Sequence, residues 1–208
     1  MNDRKTLSGD IDLDLAEFDS PPAEPFSLLG EWLARADSLN VRESRAVTLA
    51  TLGPQGPTTR TVLVKDVADG HLVLTTSAES RKGRELEADP RCSLTFYWRE
   101  TMQQIVVNGT AHKSDETESD ALFSARPAAA RATVIASHQS APLTDQRALR
   151  TQAEELLASG DLGRPASWHA WHIEPHEIEF WHGSTDRFHR RLVFRRTETG
   201  WNACRLQP

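Results

Sequence analysis

Hydrophobic spacing along the chain changes from helical to alternating within the first fifty residues. In "PFSLLGEWLARADSL" the apolar side chains recur every three or four residues, which indicates an amphipathic helix beginning at Pro25. From Ala46 the apolar positions alternate in short runs separated by turn signals: "AVTLATL", "TTRTVLVK" and "HLVLTT". The pattern therefore predicts one helix followed by an antiparallel meander.

The rest of the chain places helices between two groups of strands. A short helix, "SRKGRELEAD", precedes the strand-like runs "RCSLTFYW" and "QQIVVNGTAHK". An alanine-rich helical region follows from about 115 to 158, broken at Pro127 and Pro142. Four strand-like runs close the chain, near 168–174, 176–182, 187–195 and 201–206. Strands on both sides of a helical insertion, without strand–helix alternation, predict an α+β fold built on a small antiparallel barrel.

The domain boundaries follow from the same pattern. Residues 1–23 are polar, acidic and without periodicity, which predicts a disordered or loosely docked N-terminal tail. Residues 24–208 have the length of a single domain.

Charge and cysteine content narrow the function classes. The formal net charge of −6 argues against a broad nucleic-acid or anionic-membrane surface, because such binding needs a wide positive field. Cys92 and Cys204 give neither a disulfide framework nor zinc spacing, which suits a reducing cytoplasm. With no signal-peptide pattern and no apolar run of membrane-spanning length, we expect a cytoplasmic protein.

The stretch "DRFHRRLVF" predicts a strand with one cationic face. Side chains alternate across a strand, so Arg187, His189 and Arg191 project from the same side. The opposite side carries Phe188, Arg190, Leu192 and Phe194. A solvated outer face and a binding site for an anion both fit this pattern.

Three other stretches bear on an anion site. "SRK" places Ser80, Arg81 and Lys82 at the start of a helix, where free backbone N–H groups and the helix dipole favour a phosphate-sized anion, although such residues are often simply solvated. "RTVLVK" places Arg60 and Lys65 near the two ends of a strand, and "HQSAPL" supplies neutral hydrogen-bonding side chains in a loop.

Other chemistry is less well supported. His169 and His172 fall on opposite faces of a strand, so we expect no metal site. Trp181 is by default a core aromatic residue, but it also suits the wall of a planar cofactor site.

Six motifs in register resemble the pyridoxamine 5'-phosphate oxidase-like family of flavoproteins. They are "RTVLVK", "LTTSAESRKGRELEADPR", "QQIVVNG", "SHQS", "EFWHGSTDRFHRR" and "RLQP", and the resemblance covers about Pro25 to Pro208. It implies a split β-barrel that forms a homodimer and binds FMN between the subunits.

The resemblance also implies roles for individual residues. The expected FMN-binding residues are Arg60, Thr61, Val62, Leu63, Val64, Lys65, Thr75, Thr76, Arg81, Lys82, Gln104, Gln139, Ser140, Trp181 and Arg191. Among them Arg60, Arg81 and Lys82 would hold the FMN phosphate, and Gln139 and Ser140 would reach the flavin from the partner subunit. The expected substrate-binding residues are Lys65, Arg126, Arg187 and His189, of which Arg187 and His189 are the candidate catalytic pair.

Within the family, "VRESRAVTLAT", "RKGRELEADP", "YWRETMQQIVVNG" and "RLQP" look more like the phenazine-biosynthesis flavin oxidases than like vitamin-B6 oxidases. The B6 enzyme surrounds its substrate phosphate with Lys, Tyr, Arg and Ser. Here Lys65 and Arg126 match, but Leu122 and Ala130 replace the two hydroxyl residues. The implied reaction is FMN-dependent dehydrogenation of reduced tricyclic phenazine carboxylic acids, with O2 as acceptor and H2O2 as product.

Two alternatives stay open from the sequence. One is a pyridoxamine or pyridoxine 5'-phosphate oxidase with a relaxed phosphate site. The other is a non-catalytic flavin-binding carrier or sensor. Arg126, Arg187 and His189 argue against a carrier, because a carrier needs no substrate cations beside the flavin.

Overall fold

Five α-helices, one short 3-10 helix and nine strands make up the fold over the part of the chain that the computed structural model describes, which is Gly9 and residues 12–208. The helices are α1 (Pro25–Ser38), α2 (Arg81–Ala88), α3 (Glu116–Ser124), α4 (Ala128–Ala136) and α5 (Gln146–Ser159). The strands are β1 (Ala46–Gly53), β2 (Gly56–Leu63), β3 (Asp66–Ala68), β4 (His71–Ser77), β5 (Arg91–Trp98), β6 (Gln103–Lys113), β7 (Trp168–His182), β8 (Arg190–Thr197) and β9 (Gly200–Arg205). The predicted α+β composition is confirmed.

The strands pair antiparallel in the order β2–β1–β5–β6–β7–β4–β3, and β8 and β9 attach beside β7. Only Val64 and Lys65 separate β2 from β3, so one bent stretch of chain pairs with β1 at its start and with β4 at its end. The backbone N–H of Lys65 donates to the carbonyl of Val73 at 2.8 Å and carries the β4 pairing into this bend. The two ends of the strand order are thus one continuous segment, as the predicted split barrel requires.

Strand β7 is the point at which the barrel splits. Its first half pairs with β4 and its second half with β8, while β6 runs along its other edge. The two runs predicted around Pro175 are in fact this one strand. Asn108 pairs with Glu177 and Gly109 with Pro175, so His176 is an extra residue in a bulge that accommodates the missing proline N–H.

Aromatic side chains fill the core beneath α1. The Trp32 ring lies 5.1 Å from Phe180 and 6.5 Å from Trp98, and all three residues are buried. Burying each such side chain stabilises the fold by about 1.5–3 kcal/mol. The predicted stripe of Phe26, Leu29, Trp32, Leu33 and Ala36 is confirmed as the core-facing side of α1, with Phe26 partly buried and the other four buried.

The N-terminal segment differs from the predicted loose tail. Leu15 and Phe18 are 1% and 0% exposed and belong to the hydrophobic core, with a short 3-10 helix over Ala16–Phe18. The Arg190 guanidinium lies 5.1 Å from the Phe18 ring. Two apolar residues in an acidic stretch produce no periodicity, so the sequence alone did not indicate that they belong to the core. The remainder of the predicted tail, residues 1–8, 10 and 11, lies outside the described residues.

The cationic strand begins later than predicted. Strand β8 starts at Arg190, because the Asp186 carboxylate accepts the backbone N–H of Phe188 at 2.9 Å and forms a turn. Arg187 has a φ of +70°, and Phe188 is 74% exposed rather than buried. Strict alternation therefore applies only from Arg190, beyond which Leu192 and Phe194 are buried as predicted.

Candidate functional site

A cavity of ≈ 550 Å³ lies between β2, β4 and the start of α2. It brings together most of the predicted binding residues from five separate stretches of sequence. Its lining is Thr59, Arg60, Thr61, Val62, Leu63, Lys65, Thr75, Thr76, Arg81, Lys82, Arg126, Gln139 and Ser140. Five of these side chains are cationic, which makes the cavity a local positive site on a chain of net charge −6.

The first turn of α2 is fixed against β4. The Ser80 hydroxyl accepts the backbone N–H of Gly83 at 3.1 Å and donates to the carbonyl of Ser77 at 2.7 Å. A Cβ on Gly83 would lie 2.2 Å from the Ser77 carbonyl oxygen, so only glycine permits this approach. The helix start, with its dipole and free N–H groups, is therefore held at the cavity wall.

Lys82 is the most unusual charge at this wall. It is 9% exposed and makes no ion pair with a carboxylate among the described residues. Burial and the neighbouring charge of Arg60 lower its pKa. A largely desolvated lysine without a counter-ion is unfavourable, and an anion bound in the cavity would offset that cost.

The Arg60 guanidinium is held by the protein itself. Its terminal nitrogens donate to the hydroxyls of Thr51 and Thr58 at 2.5 and 2.7 Å and to Glu85 Oε2 at 2.8 Å. A longer bond reaches the Leu49 carbonyl at 3.3 Å. Arg60 therefore contributes positive charge to the cavity wall, while its terminal N–H groups are already occupied.

Glu85 is a residue of this site that the sequence reasoning missed. Its carboxylate also accepts Arg81 Nε–H at 2.9 Å, so it joins two of the three predicted phosphate-binding cations. Burial raises its pKa, but hydrogen bonds from Thr51, Thr58, Arg81 and Arg60 outweigh burial and lower it to about 2. Glu85 follows Arg81 by four residues on the same helix, and this spacing was the sequence signal that could have predicted their ion pair.

Gln139 and Ser140 line the cavity of the same chain. Thr76 donates to Gln139 Oε1 at 3.3 Å, and the backbone N–H of Arg81 donates to the Ser140 hydroxyl at 3.1 Å. This corrects the expectation that both residues reach the flavin from the partner subunit. The loop after α4 folds back over β4 and α2, which the sequence alone could not indicate.

Lys65 and Arg126 share the cavity with these groups. The Arg126 guanidinium lies 5.6 Å from the Trp168 ring, and burial lowers its pKa. Its buried Nε has no hydrogen-bond partner within the described part of the chain. Arg126 also lines a second cavity of ≈ 500 Å³, whose walls include Val134, Ile135 and Trp168. The two cavities thus share Arg126 as a lining residue, and the Nε of that residue is the atom left without a hydrogen bond.

Val64 is the exception within the predicted flavin-binding run. It is 2% exposed and belongs to the hydrophobic core, so it does not line the cavity, unlike its neighbours Leu63 and Lys65. Strand alternation at the bend after β2 accounts for this difference.

Five predicted site residues form a second cluster elsewhere on the sheet. Its members are Gln104, Trp181, Arg187, His189 and Arg191, and none of them lines either cavity. Gln104 and Arg191 flank Trp181 across β6, β7 and β8, and the His189 ring lies 5.0 Å from the Trp181 ring.

Two members of the second cluster are fixed by hydrogen bonds. Arg191 makes a two-bond ion pair with Glu179 at 2.6 and 2.9 Å, which raises the pKa of Arg191. His189 Nδ1 accepts the backbone N–H of Ser184 at 3.0 Å, so neutral His189 carries its proton on Nε2. His189 thus presents a hydrogen-bond donor.

Two features are absent among the described residues: a cluster of metal-binding side chains and a membrane-spanning helix. Across the described ranges, no group of three histidine, cysteine or acidic side chains is arranged to hold a metal ion. Among the described helices, none has both the length and the apolar character needed to cross a bilayer.

Comparison with known proteins gives a consistent result along the whole chain. The family model for pyridoxamine 5'-phosphate oxidase matches residues 36–160, and that for the pyridoxine 5'-phosphate oxidase C-terminal dimerisation region matches residues 168–208. A dihydrophenazinedicarboxylate synthase from Burkholderia lata is 43% identical over 206 residues, covering 98% of this chain and 97% of the relative. A pyridoxine/pyridoxamine 5'-phosphate oxidase from Rubrobacter xylanophilus is 39% identical, covering 93% of this chain and 91% of the relative.

A solved structure supports the same grouping. The fold superposes on the crystal structure of PhzG from Burkholderia lata 383 in complex with tetrahydrophenazine-1-carboxylic acid with a TM-score of 0.93. The sequence identity is 44%, and the match covers 96% of this chain and 100% of that chain.

Proposed function

Because the chain belongs to the pyridoxamine 5'-phosphate oxidase family, we propose that it is an FMN-dependent oxidase of phenazine biosynthesis. It dehydrogenates reduced tricyclic phenazine carboxylic acids toward the aromatic phenazine, with O2 as acceptor and H2O2 as product. The full-length similarity to a dihydrophenazinedicarboxylate synthase supports this substrate class over pyridoxamine 5'-phosphate.

The single observation that carries the cofactor assignment is Lys82, which lies at the start of α2, lines the cavity, is only 9% exposed and has no carboxylate partner among the described residues. A phosphate monoester supplies the missing negative charge and accepts the free N–H groups of the helix start. A flavin without a phosphate leaves this ammonium uncompensated, so the donor set fits FMN. FMN, when bound, takes a hydride from the substrate and passes the electrons to O2.

The residues of the cavity then have separate tasks. Arg81 and Lys82 hold the phosphate together with Ser140, and Thr75 and Thr76 provide hydroxyls on the adjoining wall. Lys65 and Arg126 lie at the same cavity and attract the carboxylate of the substrate. Leu122 and Ala130 carry no hydroxyl in place of the phosphate donors of a B6 oxidase, and each such lost hydrogen bond weakens phosphate binding by about 1.5–3 kcal/mol.

The second cluster completes the site through dimerisation. Trp181, Arg187, His189 and Arg191 all fall within the matched dimerisation region, and neither cavity of their own chain is lined by them. We assign them to the cavity of the other protomer in a homodimer, where Trp181 and Arg191 contact the flavin. Arg187 and His189 orient the substrate, and His189 does so as an Nε2–H donor rather than as a base. The free cysteines suit the cytoplasm as the place of action.

The test is reduction of bound flavin in the absence of air. FMN-loaded protein mixed anaerobically with tetrahydrophenazine-1-carboxylic acid is expected to lose its flavin absorbance near the visible maximum, and air is expected to restore it with release of H2O2. Bleaching by pyridoxamine 5'-phosphate alone would assign the B6 oxidase function instead. Bleaching by neither compound, in a protein that dithionite reduces, would point to a carrier.

A further inference from the structure

We propose that Glu85 is a positioning residue that organises the cations of the FMN-phosphate subsite and makes the protein select phosphorylated flavin. The inference rests on the proposed function, because it assigns the anion at this subsite to the FMN phosphate. Glu85 itself touches neither substrate nor flavin in this account.

The contacts of Glu85 connect both arginines of the subsite. Oε2 accepts hydrogen bonds from Thr51 at 2.6 Å, from Thr58 at 2.7 Å and from Arg60 at 2.8 Å, and Oε1 accepts one from Arg81 at 2.9 Å. Three elements, β1, β2 and α2, are therefore tied together at one carboxylate.

The fold provides a dedicated space for this carboxylate. Glu85 is 6% exposed, and Thr51 beside it is 1% exposed. A Cβ on Gly53 would lie 2.8 Å from Glu85 Oε1, so a side chain at position 53 would collide with the carboxylate. Since the pKa of Glu85 is lowered to about 2, it carries its charge at every pH at which the protein would act.

The hydrogen bonds of Glu85 determine which N–H groups of the cations remain available to a ligand. Glu85 occupies one terminal N–H of Arg60 and the Nε–H of Arg81, and it leaves both terminal nitrogens of Arg81 available to a ligand. Lys82, without a carboxylate partner among the described residues, is left to meet the ligand directly. Glu85 thus fixes where two of the three positive charges lie before the ligand arrives.

The charge of the subsite also matches its ligand. Arg60, Arg81 and Lys82 together with Glu85 leave a net charge of +2. A phosphate monoester carries about −1.5 to −2 at pH 7. Without Glu85 the cluster would hold three mutually repelling cations, and Arg60 and Arg81 would lose their shared partner.

The experiment compares the dissociation constants of FMN and riboflavin, which differ only by the phosphate. In Glu85→Ala we expect the preference for FMN over riboflavin to fall by about tenfold or more, while riboflavin affinity changes by less than about twofold. Glu85→Gln, which keeps the side-chain shape, is expected to lose part of the preference and decides the question if Glu85→Ala does not fold. Glu87→Ala removes an exposed carboxylate of the same helix and is expected to leave both constants unchanged.

A double mutant separates positioning from general damage. If Glu85 acts through Arg81, Glu85→Ala should lower the FMN preference less in a protein that already carries Arg81→Ala than in the wild-type protein. An unchanged FMN preference in both Glu85 variants would overturn this inference alone. A wild-type protein that binds riboflavin as tightly as FMN would overturn the proposed phosphate subsite as well.

Discussion

Among single residues, Lys82 is the one that we propose selects an anionic ligand for the cavity. It is buried, lacks a carboxylate partner among the described residues, and lies at the start of a helix. A methionine of similar length removes the charge but keeps the packing. We expect Lys82→Met to weaken FMN binding by about tenfold to a hundredfold, because hydrogen bonds to charged groups contribute about 1.5–3 kcal/mol.

Fluorescence titration with FMN measures this loss. The matched control is Lys113→Met, which removes an exposed lysine that pairs with Glu87 outside the cavity, and its FMN affinity should equal that of the wild type. Equal FMN affinity in Lys82→Met would show that the buried ammonium does not meet the phosphate.

The lowered pKa of Glu85 predicts how the stability of the folded protein changes with pH. Its pKa in the folded protein is lowered to about 2, against an ordinary value of 4.5, so the folded state favours the ionised carboxylate. That contribution is fully present above pH 4.5 and is lost as the pH falls from 4.5 toward 2. Thermal unfolding between pH 7 and pH 3 should therefore show a smaller acid loss of Tm in Glu85→Gln than in the wild type. Parallel losses of Tm in the two proteins would contradict the assignment.

At the scale of elements, the start of α2 depends on the absence of a side chain at position 83. A Cβ there would lie 2.2 Å from the Ser77 carbonyl oxygen, so Gly83→Ala forces the helix away from β4. We expect a loss of about 1–3 kcal/mol in the free energy of unfolding, measured with urea, and weaker FMN binding.

The comparison within the same protein is Gly30→Ala on the exposed side of α1. No heavy atom of the described residues lies within 4 Å of a Cβ at that position, so alanine should stabilise the helix by about 0.5–1 kcal/mol. Destabilisation by both changes to a similar extent would mean that the close approach of α2 to β4 does not matter.

Elements were more predictable than their contacts. The alternation in "QQIVVNGTAHK" gave β6 its observed bounds, and the proline positions separated α3, α4 and α5. Pro175 was wrongly expected to divide two strands, because the bulge at His176 depends on the partner strand and not on the local sequence. The start of β8 was wrong for a similar reason, since the Asp186 turn competes with the strand pattern.

Site residues followed the same rule. The helix start at Ser80 was visible in the sequence, and the structure places it at a cavity with Lys82. The partner of Arg60 was not visible, because Glu85 lies 25 residues away and only the packing of α2 on β1 joins them. Leu15 and Phe18 were missed because their burial depends on long-range packing against the core rather than on local spacing.

At the scale of the whole molecule, the division of the site residues between a cavity and a second cluster predicts a shared active site. Lys82→Ala damages the cavity, and Arg187→Ala damages the second cluster. We expect each variant alone to be nearly inactive. Coexpression of the two should restore about a quarter of wild-type activity, because half of the random dimers then contain one undamaged site out of two.

Differently tagged chains allow the mixed dimer to be isolated and its turnover measured directly. An inactive mixed dimer would place both groups of residues in the same protomer's site and would contradict the shared arrangement. Coexpressed Lys82→Ala with Lys82→Met serves as the control, since every site in that mixture lacks the lysine.

Substrate preference distinguishes a phenazine oxidase from a vitamin-B6 oxidase. The kcat/KM of the FMN-loaded protein is measured under air with reduced phenazine carboxylic acid and with pyridoxamine 5'-phosphate, side by side with a vitamin-B6 oxidase. Since the family resemblance places Leu122 and Ala130 where a B6 oxidase has two hydroxyl residues for the substrate phosphate, we expect the phenazine precursor to be preferred by about a hundredfold or more. Turnover of pyridoxamine 5'-phosphate at the rate of the B6 oxidase, with none of the phenazine precursor, would contradict the claim.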